Sequence, residues 1–108
     1  MIPIVNLQDK MNQIDRPWSP VDIARVNDQV MRMALLEGAY HWHQHTNEDE
    51  LFYVLKGEIV TQVKDQPDVH LGDGEMAVIP KGVKHRPTSE GPSYILMFEP
   101  FALKSRGD

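Results

Sequence analysis

The chain contains no cysteine among its 108 residues. This absence excludes disulfide bonds, a catalytic thiol, thiolate zinc sites and cysteine-ligated iron–sulfur clusters. Basic residues are also few, since eleven Lys and Arg stand against sixteen Asp and Glu, for a net charge of −5. A net-negative chain without a basic cluster is a poor ligand for a phosphate backbone. We therefore expect no nucleic-acid partner.

Long hydrophobic runs are missing as well. No apolar stretch approaches the roughly 18 residues that a membrane-spanning helix needs. The first ten residues lack the cationic stretch and apolar core of a secretory signal. We therefore predict a cytoplasmic protein with no membrane partner, and its length predicts a single domain.

Glycine and proline are frequent, with seven and eight copies, and they separate many short apolar runs. This pattern predicts an all-β domain. The predicted strands are residues 30–36, 40–45, 50–55, 58–63, 69–71, 75–79, 85–87 and 93–98, with a loop at 88–92.

The first 24 residues follow a different pattern. Three apolar residues there have helical spacing: Leu7, Met11 and Ile14. With Asn6 as a cap, they predict a short amphipathic helix or turn. We interpret residues 1–24 as an arm that packs on the main domain, residues 25–108, with Trp18 as its apolar anchor.

Two predicted strands are apolar at every position, at residues 51–55 and 94–98. Because successive strand residues face opposite sides, both faces of these strands need cover. A domain of this size cannot cover every such face by itself. We expect the arm to cover part and a second copy to cover the rest, which predicts a homodimer.

Histidines alternate at His41, His43 and His45. In a strand, all three side chains would point the same way, so that two imidazoles could converge on one metal ion. Three acidic residues follow at once, at 48–50, and a carboxylate from this run can complete such a site. His70, by contrast, stands alone and is interpreted as an ordinary surface or core residue.

The histidine cluster resembles the first motif of the cupin family. That motif runs glycine, then His-x-His, three or four residues, Glu, six residues and glycine. Here His43, His45, Glu50 and Gly57 fit it, whereas Gly38 lies one residue closer to the histidine pair than usual.

A second stretch resembles the second cupin motif. That motif runs Gly, five residues, Pro-x-Gly, two residues, His, three residues and Asn. Gly74, Pro80, Gly82 and His85 fit it, and Ser89 replaces the final Asn. Two motifs in order, spanning about half the chain, identify a small single-domain cupin.

The resemblance implies a fold and a ligand set. The fold would be an antiparallel jelly-roll β-barrel, preceded here by the short amino-terminal arm or helix. The ligands would be His43, His45, Glu50 and His85, because Glu48 and Asp49 do not fit the interval to the following glycine. Such a nitrogen and oxygen set suits one divalent Zn, Ni, Fe, Mn, Co or Cu ion. On a six-coordinate metal it would leave two positions open.

The substrate pocket is predicted by strand alternation. If Glu50 points inward, Phe52 and Val54 do as well, and we place Met33 and His41 beside them. In the last strand, either Tyr94 and Leu96 or Ile95 and Met97 face this pocket. Four residues near the motif could serve as a general base, and none stands out: His41, Glu48, Asp49 and Tyr53. Tyr53 is expected to face away from Glu50.

The resemblance leaves the reaction open, because such cupins include dioxygenases, isomerases, epimerases, decarboxylases and proteins that only bind a small molecule. We expect a metal-binding cupin, with an oxygenase-like or isomerase-like enzyme on a small oxygen-bearing metabolite as the leading hypothesis. The alternative is a non-catalytic binding or sensing protein, in which the metal is structural or anchors the ligand.

Overall fold

A computed structural model describes all 108 residues and contains one helix and seven strands. The elements are α1 (Leu7–Gln13), β1 (Val21–Val26), β2 (Gln29–Ala39), β3 (Glu50–Lys56), β4 (Glu58–Val63), β5 (Gln66–Gly72), β6 (Met76–Ile79) and β7 (His85–Pro100). No helix is long and apolar enough to cross a membrane.

All strand pairs are antiparallel, in the order β1-β2-β7-β3-β6, with β4 between β5 and β7. Strand β7 joins two layers, because its first residues pair with β4 and its later residues lie between β2 and β3. The predicted all-β jelly roll is confirmed, although the hydrogen bonding does not close the sheet into a complete barrel.

The core lies between the two layers. Alternate residues of β3 and β4 point into it, which gives both strands the regular burial pattern of half-buried strands. Its members are Ala34, Leu36, Phe52, Val54, Ile59, Leu71, Ile79, Ile95 and Met97. The later part of β7 therefore faces inward through Ile95 and Met97, which decides the register that alternation alone left open.

The opposite side of the β2-β7-β3-β6 layer carries a second apolar surface. We call it the outer face, and it is made of Met31, Leu51, Tyr53, Met76, Leu96 and Phe98. Tyr53 lies here, turned away from the site as expected. Met76 is 58% exposed.

The amino-terminal arm forms the predicted helix. The Asn6 side chain caps it by accepting a hydrogen bond from the backbone N–H of Asp9 at 2.9 Å. Helix α1 has no buried residue, but Trp18 packs against the core and its indole N–H donates to the Glu37 carbonyl. Strand β1 continues across position 24, where we placed the boundary between arm and domain.

Two predicted elements are wrong. Residues 40–45 do not form a strand, since only His43 makes a β-bridge, to His85. Residues 88–92 are not a loop between two strands, because β7 runs unbroken from His85 to Pro100. Its pairing with β2 shifts register between Leu36 and Gly38, so the irregularity that looked like a loop is absorbed within the strand.

Candidate metal centre

Four side chains that could hold a metal ion meet between the layers. His43 and His45 come from the segment between β2 and β3, Glu50 is the first residue of β3, and His85 is the first residue of β7. One ligand atom from each lies within 4.8 Å of every other. All four side chains are buried.

The backbone fixes this meeting point. The N–H groups of His43 and His85 each donate to the other residue's carbonyl, at 3.0 and 2.9 Å. A turn closed by a 3.3 Å hydrogen bond from the Val83 N–H to the Pro80 carbonyl precedes His85. Gly82, at φ +78°, supplies the conformation that this turn requires. The segment 40–45 therefore keeps its alternation without being part of a sheet.

Two of the histidines have a defined orientation. The Nδ1–H of His43 donates to the His41 carbonyl at 3.0 Å, and that of His85 donates to the Val83 carbonyl at 2.9 Å. Each bond spans two residues, so the short local geometry holds each ring. With the proton on Nδ1, the Nε2 atom keeps its lone pair, which is the state a metal ligand requires.

The buried centre leaves polar atoms without partners. His45 Nε2 and His85 Nε2 make no hydrogen bond, although both are inaccessible to solvent. They lie 3.4 and 3.8 Å from Oε1 of Glu50. Unpaired buried polar atoms are costly, and a cation among them removes that cost. The donor set thus fits a transition metal ion held by three imidazoles and one carboxylate.

Electrostatics favour the deprotonated form of two of the ligands, His43 and Glu50. Burial lowers the pKa of His43 to about 4, partly opposed by its hydrogen bond to the His41 carbonyl. Burial alone would raise the pKa of Glu50, but the imidazoles of His45 and His85 beside it outweigh this effect and lower that pKa to about 2. A neutral His43 imidazole and an ionised Glu50 carboxylate are therefore favoured at neutral pH.

A second buried carboxyl group, Glu99, contacts the Glu50 carboxyl group. Burial and the contact with Glu50 raise the pKa of Glu99 to about 9, against the attraction of Arg32. Arg32 Nη1 donates to Glu99 Oε2 at 2.7 Å, and its Nε donates to Asp22 at 2.8 Å. The centre is thus connected to the surface through an acidic and a basic side chain.

Sequence reasoning did not find Glu99 or Arg32. The signal was present, because Arg32 is the single charged residue within the apolar run Val30–Leu36, and Glu99 directly follows the apolar run Tyr94–Phe98. A charge at an inward position of such a strand needs a buried partner.

A cavity of about 40 Å³ adjoins the centre, with His43 and Glu50 in its wall. Its apolar wall includes Leu36, Phe52, Ile95 and Met97. Trp18 and Tyr40 also line it and stack with ring centroids 4.8 Å apart. Such a cavity has room for a few water molecules or a small molecule of similar size. Tyr40 and Trp18 were not among the predicted pocket residues.

Only some of the predicted pocket residues line the cavity. Phe52 lines the cavity, with its ring 6.3 Å from that of His85. Val54 and Met33 are fully buried but do not line it, and Met33 alternates with the inward residues of β2. His41 is exposed, and its Nε2 lies 2.8 Å from the Arg106 carbonyl.

Two of the candidate bases also lie away from the cavity. Asp49 is exposed and accepts a hydrogen bond from the Lys81 N–H at 2.9 Å. Glu48 is half-buried beside His45 but is not part of the cavity wall.

Residues 30–99 match the sequence profile of the cupin domain. This chain belongs to the cupin family. It is 37% identical over 89 residues to the uncharacterized protein YdbB of Bacillus subtilis, which covers 82% of this chain and 79% of that protein. A cupin-2 domain protein from Shewanella frigidimarina has a similar structure, with a TM-score of 0.87, 38% identity and coverage of 90% and 94% of the two chains.

An enzyme of named activity is similar to part of this chain. The acireductone dioxygenase of Tuber melanosporum is 34% identical over 59 residues, which is 50% of this chain and 34% of that enzyme. The chain thus spans about a third of that enzyme's length.

Proposed function

We propose that His43, His45, Glu50 and His85 bind one divalent transition metal ion, and that this cupin uses it to act on a small oxygen-bearing metabolite. The observation that carries the proposal is the pair of buried, unpartnered Nε2 atoms of His45 and His85 beside an ionised carboxylate. When bound, such an ion supplies a Lewis acid with positions open to small oxygen donors.

The chain's own residues set what the cavity accepts. Its size favours a molecule of few atoms, and its largely apolar wall favours one with apolar as well as oxygen-bearing parts. Tyr40 is the polar side chain best placed to contact such a molecule, because it lines the cavity together with His43. Burial raises the pKa of Tyr40, so its hydroxyl stays protonated and can donate a hydrogen bond to a substrate oxygen.

The proposal of an oxygenase-like reaction rests on two supports. The ligand set leaves positions for both a substrate oxygen and dioxygen on a six-coordinate ion. The similarity to part of acireductone dioxygenase also favours an oxygenase-like reaction. An isomerase-like reaction is less favoured, because the cavity wall offers no carboxylate other than Glu50 as a general base.

A binding or sensing role is the second candidate function, and the size of the cavity favours it. A cavity of 40 Å³ beside the stacked rings of Trp18 and Tyr40 is as suitable for holding a small ligand as for converting it. Oxygen uptake by iron-loaded protein with a panel of small hydroxylated and carbonyl compounds separates the two. Ligand binding without oxygen consumption or product supports the sensing role.

Metal content tests the site itself. Protein purified without added metal is analysed by elemental mass spectrometry for wild type and for single Ala variants of the four ligands. We expect about one metal per chain in wild type and severe loss in each variant. His70→Ala is the matched control, because His70 is an exposed histidine on β5. Full occupancy in a His43→Ala/His85→Ala double variant contradicts the assignment.

We also propose that a second copy of this chain covers the outer face. The six residues of this face carry no charge, which disfavours a charged partner. Edge strand β6 extends the surface through Val78, which is 53% exposed. Exposed apolar residues also occur at the amino terminus, including Ile2 and Ile4, and association would give them cover.

A further inference from the structure

The three clustered imidazoles differ in how their Nδ1 atoms are held. Those of His43 and His85 each donate to a backbone carbonyl two residues earlier. The Nδ1 of His45 has no hydrogen-bond partner, although it is inaccessible to solvent. Since Nε2 of His45 lies 3.4 Å from Glu50 Oε1, its Nδ1 is the ring nitrogen left to meet another group.

A metal-binding histidine rarely has a free second nitrogen. It donates its other N–H to a carboxylate, a carbonyl or a water molecule, and this bond fixes the tautomer and the ring orientation. A buried N–H without an acceptor is costly. The unpartnered Nδ1 of His45 therefore points to a nearby acceptor.

Two carboxylates lie beside this ring. Ligand atoms of Glu48, Asp108 and His45 all lie within 4.8 Å of one another. Glu48 makes no hydrogen bond that would hold its side chain, and Asp108 does. Oδ2 of Asp108 accepts a hydrogen bond from the Thr46 N–H at 2.7 Å, which leaves Oδ1 free to accept another.

Asp108 is hydrogen-bonded to the residues on both sides of His45. Its backbone N–H donates to the Gln44 carbonyl at 3.0 Å, and its carboxylate holds the N–H of Thr46. These are the two neighbours of His45 in the chain. Because residues 40–45 lack the support of a continuous strand, these bonds replace part of the missing ladder.

The residues before Asp108 pack on the same segment. Gly107 has φ +91°, and a Cβ atom there would lie 2.7 Å from the Cβ of His43. Glycine is therefore the residue that permits this approach. The carbonyl of Arg106 lies 2.8 Å from Nε2 of His41. Residues 104–108 thus lie alongside residues 41–46.

We propose that Asp108 is the positioning residue of the metal centre, whose carboxylate accepts the Nδ1–H of His45 and thereby directs Nε2 toward the other three ligands. This inference rests on the proposed metal site. It assigns the carboxy-terminal segment a part in metal affinity, and it gives His41 a role as a docking point for that segment.

The test measures zinc affinity of the full chain by chelator competition after the metal has been stripped. Asp108→Ala is expected to weaken zinc binding by 10- to 100-fold, the usual cost of losing such a partner. Asp73→Ala is the matched control, because Asp73 is also an exposed aspartate that accepts one backbone N–H, from Gly57 at 2.6 Å. It should bind zinc as wild type does.

A spectroscopic measurement separates positioning from general stability. In zinc-loaded, ¹⁵N-labelled protein, the Nδ1 proton of His45 should be visible and slow to exchange with water in wild type. In Asp108→Ala it should exchange rapidly, while the corresponding protons of His43 and His85 stay protected. The melting temperature of the metal-free variant should match that of Asp73→Ala.

Each contrary result has a defined meaning. Unchanged zinc affinity in Asp108→Ala, with binding abolished in His43→Ala, overturns the inference and leaves the metal site standing. A loss in Glu48→Gln but not in Asp108→Ala also overturns it. An equal loss in Asp73→Ala shows a general charge effect and rejects the assignment. If His43→Ala and His85→Ala retain wild-type zinc binding, the proposed site and the inference fall together.

Discussion

Glu50 and Glu99 flank the same cross-strand pair, Leu51 on β3 and Phe98 on β7, and their carboxyl groups touch inside the protein. Both side chains are buried. Two adjacent carboxylates cannot both stay ionised in such a place. Because the imidazoles of His45 and His85 lie beside Glu50 and favour its ionised form, the proton falls to Glu99, and the pair has one charged and one neutral member.

The Glu99 proton predicts how stability depends on pH in metal-free protein. The pKa of Glu99 is raised from 4.5 to about 9 on folding, so the folded chain holds a proton that the unfolded chain releases. The contribution of this proton to the free energy of unfolding is complete below about pH 4.5 and is lost as pH rises through about 9. The free energy of unfolding should fall between pH 6 and 8.5, by at most about 1.4 kcal/mol per unit.

Glu99→Gln should remove most of this slope, because the amide cannot ionise. Urea unfolding at both pH values in the presence of a chelator measures it. A variant whose stability falls as steeply as that of wild type would assign the slope to other groups.

Chelation should lower the melting temperature at pH 7.5. An ion bound only by the folded chain, at a hundredfold excess over its dissociation constant, stabilises by about 2.7 kcal/mol. For a domain of this size that corresponds to about 10 °C or more. The effect should fade in acid, because protons compete with the metal for imidazole. Coincident melting curves, from protein shown beforehand to carry metal, would mean that the site contributes little to stability or is wrongly placed.

Gly57→Ala should destabilise the fold by about 1–3 kcal/mol or more. Gly57 has φ +114°, and an added Cβ would lie 2.8 Å from the Cβ of Ser93. Gly91→Ala is the control, since its Cβ would meet no atom within 4 Å and its φ is not in the positive region. Urea unfolding of both variants measures the difference. Equal stability of the two would show that the turn at Gly57 adapts freely.

Wild-type protein should be a homodimer at micromolar concentration, as measured by light scattering. Charges introduced on the outer face, in Met76→Lys/Val78→Lys, should shift it to the monomer without unfolding it, because both side chains are exposed. Gln66→Lys, at an exposed position of β5, should leave the dimer intact. A monomeric wild type would mean that the outer face has no copy of this chain as its partner.

The site was predictable where spacing alone determines geometry. Alternation from His43 to His45 placed these two rings on one side, because it depends on a few neighbouring residues, whereas His85 was assigned to the site through the resemblance to the second cupin motif. The strand assigned to residues 40–45 was wrong for a related reason. Alternating side chains need an extended backbone, and a single bridge at His43 suffices for that.

Features that depend on distant pairing were harder to predict. Whether Ile95 or Leu96 faces the core is set by the register between β7 and β2, which leaves no trace in a run that is apolar at every position. The contact of Glu99 with Glu50 depends on the same pairing. Likewise, Trp18 reaches the cavity only because the arm folds back, where its backbone N–H bonds to the Leu35 carbonyl.

The β4–β5 hairpin contributes no residue to the ligand cluster or the cavity wall. Its tip, at Lys64 and Asp65, is exposed, yet it lies beside the metal centre, because the Lys64 N–H donates to the Lys84 carbonyl at 3.0 Å, next to His85. Insertions are tolerated best at such exposed tips. A fluorescent reporter placed between these two residues would therefore lie close to the backbone of His85, where metal binding should change its signal, which makes the hairpin a natural attachment point for a sensor built on this protein.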